Sequence, residues 1–293
     1  VTVGGQAALF AAMQATLDPG DACVVIDPFY ATFPLTVRAA AGRVVTVRAD
    51  AATGFLPRPA DVADAMDRSG ARVLLINSPN NPTGAVYPAA LLAELLDICA
   101  RRGAWMISDE LYDSQVFEGV HISARALPGG RDRVVVIGSM SKSHAMTGFR
   151  VGWMIAPERL IRRAADMALA MTYGVAGFAQ DAALFALRRG PAPEREIAAR
   201  YRRRRDLALA ALEGCDALAA HRPVGGMYLM IDVRRAAPDA EEFAQRLLDA
   251  EKVSVLPGDA FGAAAAGHVR LALTAGEDRL AEGLSRIKRF ATR

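Results

Sequence analysis

Lys142 is the residue whose type and position point most directly to chemistry. It lies among small hydroxyl residues and follows an apolar run, Val134–Ile137, that predicts a buried strand. A lysine at the end of a buried strand is partly desolvated, and desolvation favours the neutral, nucleophilic form of the amine. Such lysines form Schiff bases with carbonyl compounds. A structural role, in which Lys142 pairs with an acid at the strand end, fits this segment equally well.

Polar side chains follow two further predicted strands at the point where each strand ends. The segment Asn77–Gly84 comes after Arg72–Ile76, and the segment Asp109–Tyr112 comes after Ala104–Ser108. Ligands in open α/β sheets bind beyond the carboxyl ends of the strands. We therefore expect an amide, a carboxylate, a phenol, hydroxyls and an amine to meet at one edge of a sheet.

Asp109 and Asn81 each admit two interpretations. Asp109 closes an apolar strand, so it either needs a cationic partner, such as a protonated heterocyclic nitrogen, or caps a following helix. Asn81 lies in Asn80–Gly84, whose composition predicts a tight turn. Such a turn needs no function, but it can also present the Asn81 amide to a ligand oxygen.

Several other residues suit an anion or a planar ligand. Gly5 and Gln6 open a predicted helix, and exposed amides at a helix N-terminus suit a phosphate. Arg150 could hold a phosphate by a forked contact. Arg270 lies in an apolar strand, so it needs an anion, either a substrate carboxylate or an internal acid. Tyr30 follows a strand, where its ring either stacks on a planar cofactor or joins the core.

The elements that position these residues alternate between strands and helices. Strands are predicted at Ala22–Ile26, Arg43–Val47, Arg72–Ile76, Ala104–Ser108, Val134–Ile137 and Val151–Ile155. Helices are predicted at Gln6–Leu17, Ala31–Ala41, Pro59–Asp67 and Pro88–Arg102. Continuous apolar strands alternating with helices indicate a mostly parallel sheet that is covered on both faces.

The pattern changes after Pro157. Helices dominate from Glu158 to Leu212, and a smaller α+β unit follows. Its predicted elements are Met227–Ile231, Ala240–Ala250, a strand near Val253–Val255, Val269–Leu273 and a closing helix after Gly276. The fold class is therefore α/β, with a large domain at residues 1–212 and a small domain at residues 213–293.

Composition excludes several classes of partner. The chain has 293 residues and a net charge of only +3, so neither nucleic acid nor a membrane surface is expected as a partner. The basic run Arg200–Arg205 lies in a helical pattern and is better explained as a solvated face than as a binding patch. The three cysteines are far apart in apolar stretches, which predicts reduced core residues, and the histidines show no metal-ligand spacing. We expect a cytoplasmic enzyme without a metal.

Three motifs together resemble the fold type I, pyridoxal phosphate (PLP)-dependent aminotransferases of the class I/II superfamily. They are Ser78–Gly84, Ser108–Tyr112, and Ser139–Lys142 with Thr147–Gly152. The resemblance covers nearly the whole chain, and the order and spacing of the motifs are highly specific. It implies the large PLP-binding domain of that family, with a seven-stranded type of sheet, and a small C-terminal domain.

The resemblance also implies roles for the central residues. Lys142 matches the lysine that forms a Schiff base with PLP and later shuttles a proton. Asp109 matches the aspartate that pairs with the pyridine nitrogen, so that the ring can accept electrons. Asn81 and Tyr112 match the pair that hydrogen-bonds the phenolic oxygen of the ring. The catalytic residues are thus expected to be Lys142, Asp109 and Tyr112.

The remaining matches concern cofactor and substrate binding. Tyr30 matches the aromatic residue that stacks on the ring. The residues that match the phosphate cup are Gly5, Gln6, Ser139, Ser141 and Arg150. Arg270 matches the arginine that binds the substrate α-carboxylate by a bidentate contact, and Asn81 is expected to contact the substrate as well.

The implied reaction transfers the amino group of an amino acid to a 2-oxo acid. The local sequence around Lys142, Ser141–Gly148, is similar to that of enzymes that act on basic amino acids such as arginine. The family is homodimeric and carries a segment before the position of Val1, including an N-terminal arm. We expect that arm to be missing here, through truncation or loss, which would impair substrate closure more than cofactor binding.

Two alternatives stay open at this point. The first is another PLP reaction on the same fold, such as β-elimination from a sulfur-containing amino acid, because the fold alone does not select the reaction. The second is a non-catalytic module that senses PLP or an amino acid, as in regulators that join this fold to a DNA-binding domain.

Overall fold

The larger of the two sheets in the protein has seven strands. The structure, a computed structural model, describes residues 1–292. The strands of the larger sheet are β1 (Thr2–Val3), β2 (Ala22–Asp27), β3 (Arg43–Arg48), β4 (Val73–Asn77), β5 (Trp105–Asp109), β6 (Val134–Ser139) and β7 (Val151–Ile155). The helices that connect or cover them are α1 (Gly4–Thr16), α2 (Phe33–Ala39), α3 (Pro59–Ser69), α4 (Ala89–Arg101), α5 (Gly130–Arg133) and α6 (Met140–Ser143).

The strand order is β1-β7-β6-β5-β4-β2-β3. The five strands β2 to β6 pair in parallel, whereas β7 is antiparallel to both β6 and β1. Every residue of β2, β4 and β6 is buried, as expected for strands that are covered on both faces. The prediction of a mostly parallel α/β sheet is confirmed.

The second sheet has four strands and is antiparallel throughout. Three helices lead to it: α7 (Glu158–Thr172), α8 (Gly177–Arg188) and α9 (Ala192–Leu212). Its elements are β8 (Ala219–His221), β9 (Tyr228–Asp232), α10 (Ala240–Glu251), β10 (Leu256–Pro257), β11 (His268–Ala272) and α11 (Glu277–Ala291), and the strand order is β10-β11-β9-β8.

The division into domains at residues 1–212 and 213–293 stays a prediction. The end of α9 belongs physically to the second unit, because Ala208 and Leu212 pack in the same apolar cluster as Leu229 and Leu284. Helix α9 therefore reaches from α6 into the core of the small unit.

The structure moves one predicted strand. Val253–Val255 was expected to be extended and paired, but the paired residues are Leu256–Pro257. Lys252 ends α10 in the left-handed conformation, with φ of 57°. The next residues lead to the sheet without joining it, and Val255 packs into the apolar core instead.

The register of the large sheet brings the predicted strand ends together. Asn77 at the end of β4 lies opposite Asp109 at the end of β5, and Asp109 lies opposite Ile137 of β6. The residues after these strands therefore emerge side by side at one edge.

Candidate active site

A cleft of about 170 Å³ opens at the carboxyl ends of β4, β5 and β6. Nine of the eleven predicted site residues line it: Gly5, Gln6, Tyr30, Asn81, Asp109, Tyr112, Ser141, Lys142 and Arg150. Asn77, Leu9, Leu111, Thr147 and Tyr228 complete the lining. Ser139 and Arg270 lie outside it.

The position of Lys142 is fixed through its backbone. It lies in α6, directly after β6, and its carbonyl accepts a hydrogen bond of 2.9 Å from the Gln115 side chain. The chain has only two other lysines, Lys252 and Lys288, whose amines donate to backbone carbonyls of α10 and of the end of α9. Lys142 is thus the one lysine in the cleft lining.

Ser139 has a structural position behind the cleft. Its hydroxyl accepts the backbone N–H of Ser141 at 3.1 Å, which caps α6, and it lies 3.0 Å from the Val151 carbonyl oxygen. The hydroxyl therefore orients the turn that carries Ser141 and Lys142. A direct role for Ser139 in phosphate binding stays a prediction.

Asp109 is a buried carboxylate with little compensation from the protein. Its Oδ1 accepts one hydrogen bond, 3.2 Å from the Leu111 backbone N–H. Burial raises the pKa of Asp109 to about 7, against the lowering effects of that N–H and of the nearby Lys142 charge. A buried carboxylate facing a cleft in this way favours a cationic ligand group, and a protonated pyridine nitrogen fits.

Asn81 is oriented by its neighbours. Its backbone N–H donates to Asn77 Oδ1 at 2.8 Å, and the Asn77 amide in turn donates to the Asp109 carbonyl at 3.0 Å. The Asn81 side-chain oxygen accepts Arg270 Nη1 at 2.8 Å. Because arginine has no acceptor, the oxygen must face Arg270, which leaves the NH2 group as donor to a ligand.

Tyr112 provides a second donor. Its ring is buried and packs edge-to-face against Tyr228, with 6.2 Å between the ring centroids. Burial, reinforced by Tyr228 and Asp109, raises the pKa of Tyr112 well above its ordinary value. The phenol therefore stays protonated and can donate to an oxygen in the cleft.

The end of the cleft near α1 is shaped for an anion. Arg150 adopts a left-handed conformation, with φ of 55°, and its Nη1 donates to the Thr147 carbonyl at 3.0 Å. Its guanidinium passes so close to Gly4 that a Cβ on that residue would lie 2.3 Å from Nη2. Helix α1 begins at the same end of the cleft without a side-chain cap, and Gly5 and Gln6 of its first turn line the cleft, as in helix N-terminal phosphate sites.

The side chain of Gln6 is engaged in hydrogen bonds within the protein. Its amide nitrogen donates to Thr36 at 2.7 Å, and its amide oxygen accepts from Thr32 at 3.0 Å. The side chain thus ties α1 to α2. The backbone N–H of Gln6, at the start of α1, is the group that suits a phosphate.

Arg270 lies beside the cleft with its positive charge unneutralised. Its guanidinium is 4.0 Å from the ring of Tyr228 and 4.5 Å from the ring of Phe261, and its Nε is buried without a hydrogen-bond partner. No carboxylate within residues 1–292 lies within salt-bridge distance of it. Asn81 and the two aromatic rings hold it ready for an anion that comes from outside.

Three residues at the site were not predicted from the sequence. Gly4 makes room for Arg150, Gln115 holds the Lys142 carbonyl, and Tyr228 packs against both Tyr112 and Arg270. Gly4 has a positive φ of 76°, and the Gly4-Gly5 pair in the sequence is the local signal for such a conformation. Nothing local marks Gln115 or Tyr228, because their roles arise from tertiary contacts.

The comparisons with known proteins agree with this geometry. The profile of the family "aminotransferase class I and II" matches residues 1–287. The chain is 44% identical to the arginine–pyruvate transaminase of Pseudomonas aeruginosa, over 98% of this chain and 73% of that protein. It is 40% identical to the aspartate/prephenate aminotransferase of Thermus thermophilus, over 100% of this chain and 75% of that protein.

Solved structures show the same fold. The aspartate aminotransferase from Thermus thermophilus with maleate matches with a TM-score of 0.93 and 38% identity, over 99% of this chain and 75% of that one. The aromatic aminotransferase from Pyrococcus horikoshii matches with a TM-score of 0.94 and 29% identity, over 98% and 77%.

The fold and the cleft define a fold type I, PLP-dependent enzyme. The chain belongs to the class I and II aminotransferases, and its reaction is the transfer of an amino group from an amino acid to a 2-oxo acid. The residues of the cleft fit PLP: a buried carboxylate for the ring nitrogen, two donors for the ring oxygen, one lysine, and an arginine with helix N–H groups for the phosphate.

Proposed function

We propose that Lys142 is the residue that holds PLP covalently and that moves the proton of the substrate. Bound PLP supplies an electron-accepting ring that stabilises negative charge on the substrate Cα. When its amine is free, Lys142 would take the proton from that carbon and give it back later in the reaction. What supports this role is that Lys142 is the one lysine lining the cleft, beside the buried carboxylate of Asp109.

The surrounding residues orient the two ligands. Asp109 would keep the ring nitrogen protonated, Asn81 and Tyr112 would donate to the ring oxygen, and Tyr30 would pack on the ring. Gly5, Gln6, Ser141 and Arg150 bind the phosphate, with Ser139 supporting Ser141. Arg270 binds the α-carboxylate, which both the amino acid and the 2-oxo acid carry, so the same contact serves both halves of the reaction.

We propose L-arginine as the amino donor and pyruvate as the acceptor. The relative at 44% identity is named for these two substrates. The cleft lining supports a donor without a second carboxylate, because its cations are Lys142 and Arg150 and both have other roles. L-Aspartate is the second candidate, supported by the relative at 40% identity that matches the whole chain.

The donor is tested in the half-reaction, which needs no choice of acceptor. The PLP-loaded protein is mixed with L-arginine or L-aspartate, and the loss of the cofactor absorbance is followed in a stopped-flow instrument. We expect a second-order rate constant at least about ten-fold larger for arginine, the size of one lost charge contact. A larger constant for aspartate would reverse the assignment.

We propose that the protein is a homodimer and that a second copy covers the surface beside Arg150. Phe178 is 78% exposed and Phe149 is 46% exposed. A largely apolar cleft runs between these residues and reaches Arg150. Such a continuous apolar surface usually marks an interface. Because it adjoins the phosphate end of the active-site cleft, the partner would help to enclose the cofactor.

Light scattering tests the dimer. Phe178→Asp is expected to yield monomers with weaker PLP binding, whereas Val120→Asp, at a residue that is 73% exposed and does not line this cleft, keeps the dimer. A Phe178→Asp protein that remains a dimer would reject this interface.

We propose a cytoplasmic location. The three cysteines are free and buried, and burial raises the pKa of the Cys99 thiol to about 12, so they suit a reducing compartment. Within residues 1–292, no helix has the length and apolar character needed to cross a membrane. Cell fractionation with an antibody against the protein tests the location.

A further inference from the structure

A carboxylate of the large sheet reaches across to the small unit near the active site. Asp27 is the last residue of β2 and is only 6% exposed. Its Oδ1 accepts the backbone N–H of Ala264 at 3.1 Å, in the loop between β10 and β11. The contact joins two segments that are far apart in the sequence.

The loop is shaped to admit this carboxylate. Gly262 has φ of 111°, which side chains rarely adopt, and a Cβ on it would lie 2.1 Å from Asp27 Oδ1. A second bond fixes the same loop, because the Phe29 N–H donates to the Phe261 carbonyl at 2.9 Å. Asp27 at the end of β2 and Phe29 just after it therefore hold residues 261–264 at two points.

The same loop carries a ring that packs against Arg270. Phe261 is 2% exposed, and its ring lies 4.5 Å from the Arg270 guanidinium. Arg270 in turn donates to Asn81 in the active-site cleft. One short path of contacts thus leads from the Asp27 carboxylate through the Phe261 ring to the guanidinium.

Burying a carboxylate for stability alone is unfavourable. Burial raises the pKa of Asp27, and the backbone N–H groups of Ala264 and Ala263 offset only part of that effect. Apolar residues of similar size usually serve stability as well or better. A carboxylate at this position is therefore better explained by a role in positioning the 261–264 loop than by a contribution to stability.

We propose that Asp27 is a positioning residue for substrate binding, which fixes the 261–264 loop so that Phe261 holds Arg270 in place for the substrate α-carboxylate. The proposal rests on the role of Arg270 proposed above. Asp27 does not line the active-site cleft, so its effect should fall, through Arg270, on the binding of both carboxylate substrates.

Steady-state kinetics of the PLP-loaded enzyme test this role. For Asp27→Ala we expect KM for the amino acid and for the 2-oxo acid to rise together by about ten-fold, since small displacements of a binding group are costly. The value of kcat and the dissociation constant of PLP should stay within about two-fold. Asp27→Asn, which keeps one acceptor, should recover part of the loss.

Asp64→Ala is the matched control, because Asp64 is an exposed carboxylate on α3 that is paired with Arg68. It should leave all these constants unchanged. Unchanged KM values in Asp27→Ala, or a loss confined to kcat or to PLP affinity, would overturn the proposal.

Gly262→Ala provides a test that does not depend on how well Asp27→Ala folds. The added Cβ collides with the Asp27 carboxylate in the wild type but not when residue 27 is alanine. The KM increase caused by Gly262→Ala should therefore be several-fold larger in the wild type than in Asp27→Ala, as coupled residues show. Equal increases in both backgrounds would reject the contact. A failure of Arg270→Lys to raise KM would instead reject the underlying role of Arg270.

Discussion

Replacing Asp109 with asparagine should stabilise the cofactor-free protein at alkaline pH while it abolishes transamination. Burial raises the pKa of Asp109 from its ordinary value of 3.8 to about 7. Between these two pH values the native state holds a proton that the unfolded chain has already released. Stability therefore falls as the pH rises and stops falling above about pH 7.

The size of the effect follows from the pKa. Each pH unit by which the pKa rises corresponds to about 1.4 kcal/mol, so the full penalty is about 4 kcal/mol. Between pH 5 and pH 8 the wild type should lose about 3 kcal/mol of it. Asparagine carries no charge at either pH, so the difference in unfolding free energy between the variant and the wild type should grow by that amount.

Urea unfolding of the cofactor-free proteins at pH 5 and pH 8 measures this difference. Asp64→Asn is the control, because it makes the same substitution at an exposed position on α3. Added PLP should stabilise the wild type more than Asp109→Asn, since a pyridine N–H beside the carboxylate removes the penalty. A difference between Asp109→Asn and the wild type that stays constant from pH 5 to pH 8 would refute the reasoning.

Two further substitutions test the ends of the site. Gly4→Ala should raise the dissociation constant of PLP by about ten-fold or more, because the added methyl displaces the Arg150 guanidinium. Gly119→Ala is the control, since Gly119 has a similar φ of 78° and no atom near its Cβ position. Equal PLP affinities in the two variants, measured by equilibrium dialysis, would contradict the role of the close contact between Gly4 and Arg150. Arg270→Lys should raise KM for both substrates by roughly ten- to hundred-fold, because lysine cannot make the forked contact. The control Arg234→Lys, at an exposed arginine, should leave both KM values unchanged. A rise in KM for only one substrate would contradict a carboxylate site that both substrates share.

The sequence predicted the central chemistry because its residues lie at strand ends. Asp109 closes an apolar strand, and Lys142 follows another after a short turn. Parallel pairing then brings such ends to one edge, as the register of Asn77 with Asp109 shows. The position of these groups depends on local pattern and on a general rule of parallel sheets, both of which can be read from one sequence.

Other features depended on tertiary contacts and were out of reach. Strands β1 and β8 are two and three residues long, too short for a pattern of their own, and they exist because neighbours pair with them. The bonds of the Gln6 side chain to Thr32 and Thr36 join residues far apart in the sequence, and no local pattern predicts them. Which donor meets which acceptor is decided by packing, and the contact between Asp27 and Ala264 illustrates this across the two units.

Covalent labelling of the lysines tests the central claim most directly. The PLP-loaded protein is reduced with borohydride, digested and mapped by mass spectrometry, and the three lysines of the chain make the result unambiguous. We predict that the cofactor is fixed on Lys142 alone, that Lys142→Ala retains none after reduction and dialysis, and that Lys288→Ala behaves like the wild type. Cofactor fixed on Lys252 or Lys288, or a wild-type protein that retains none, would contradict the account.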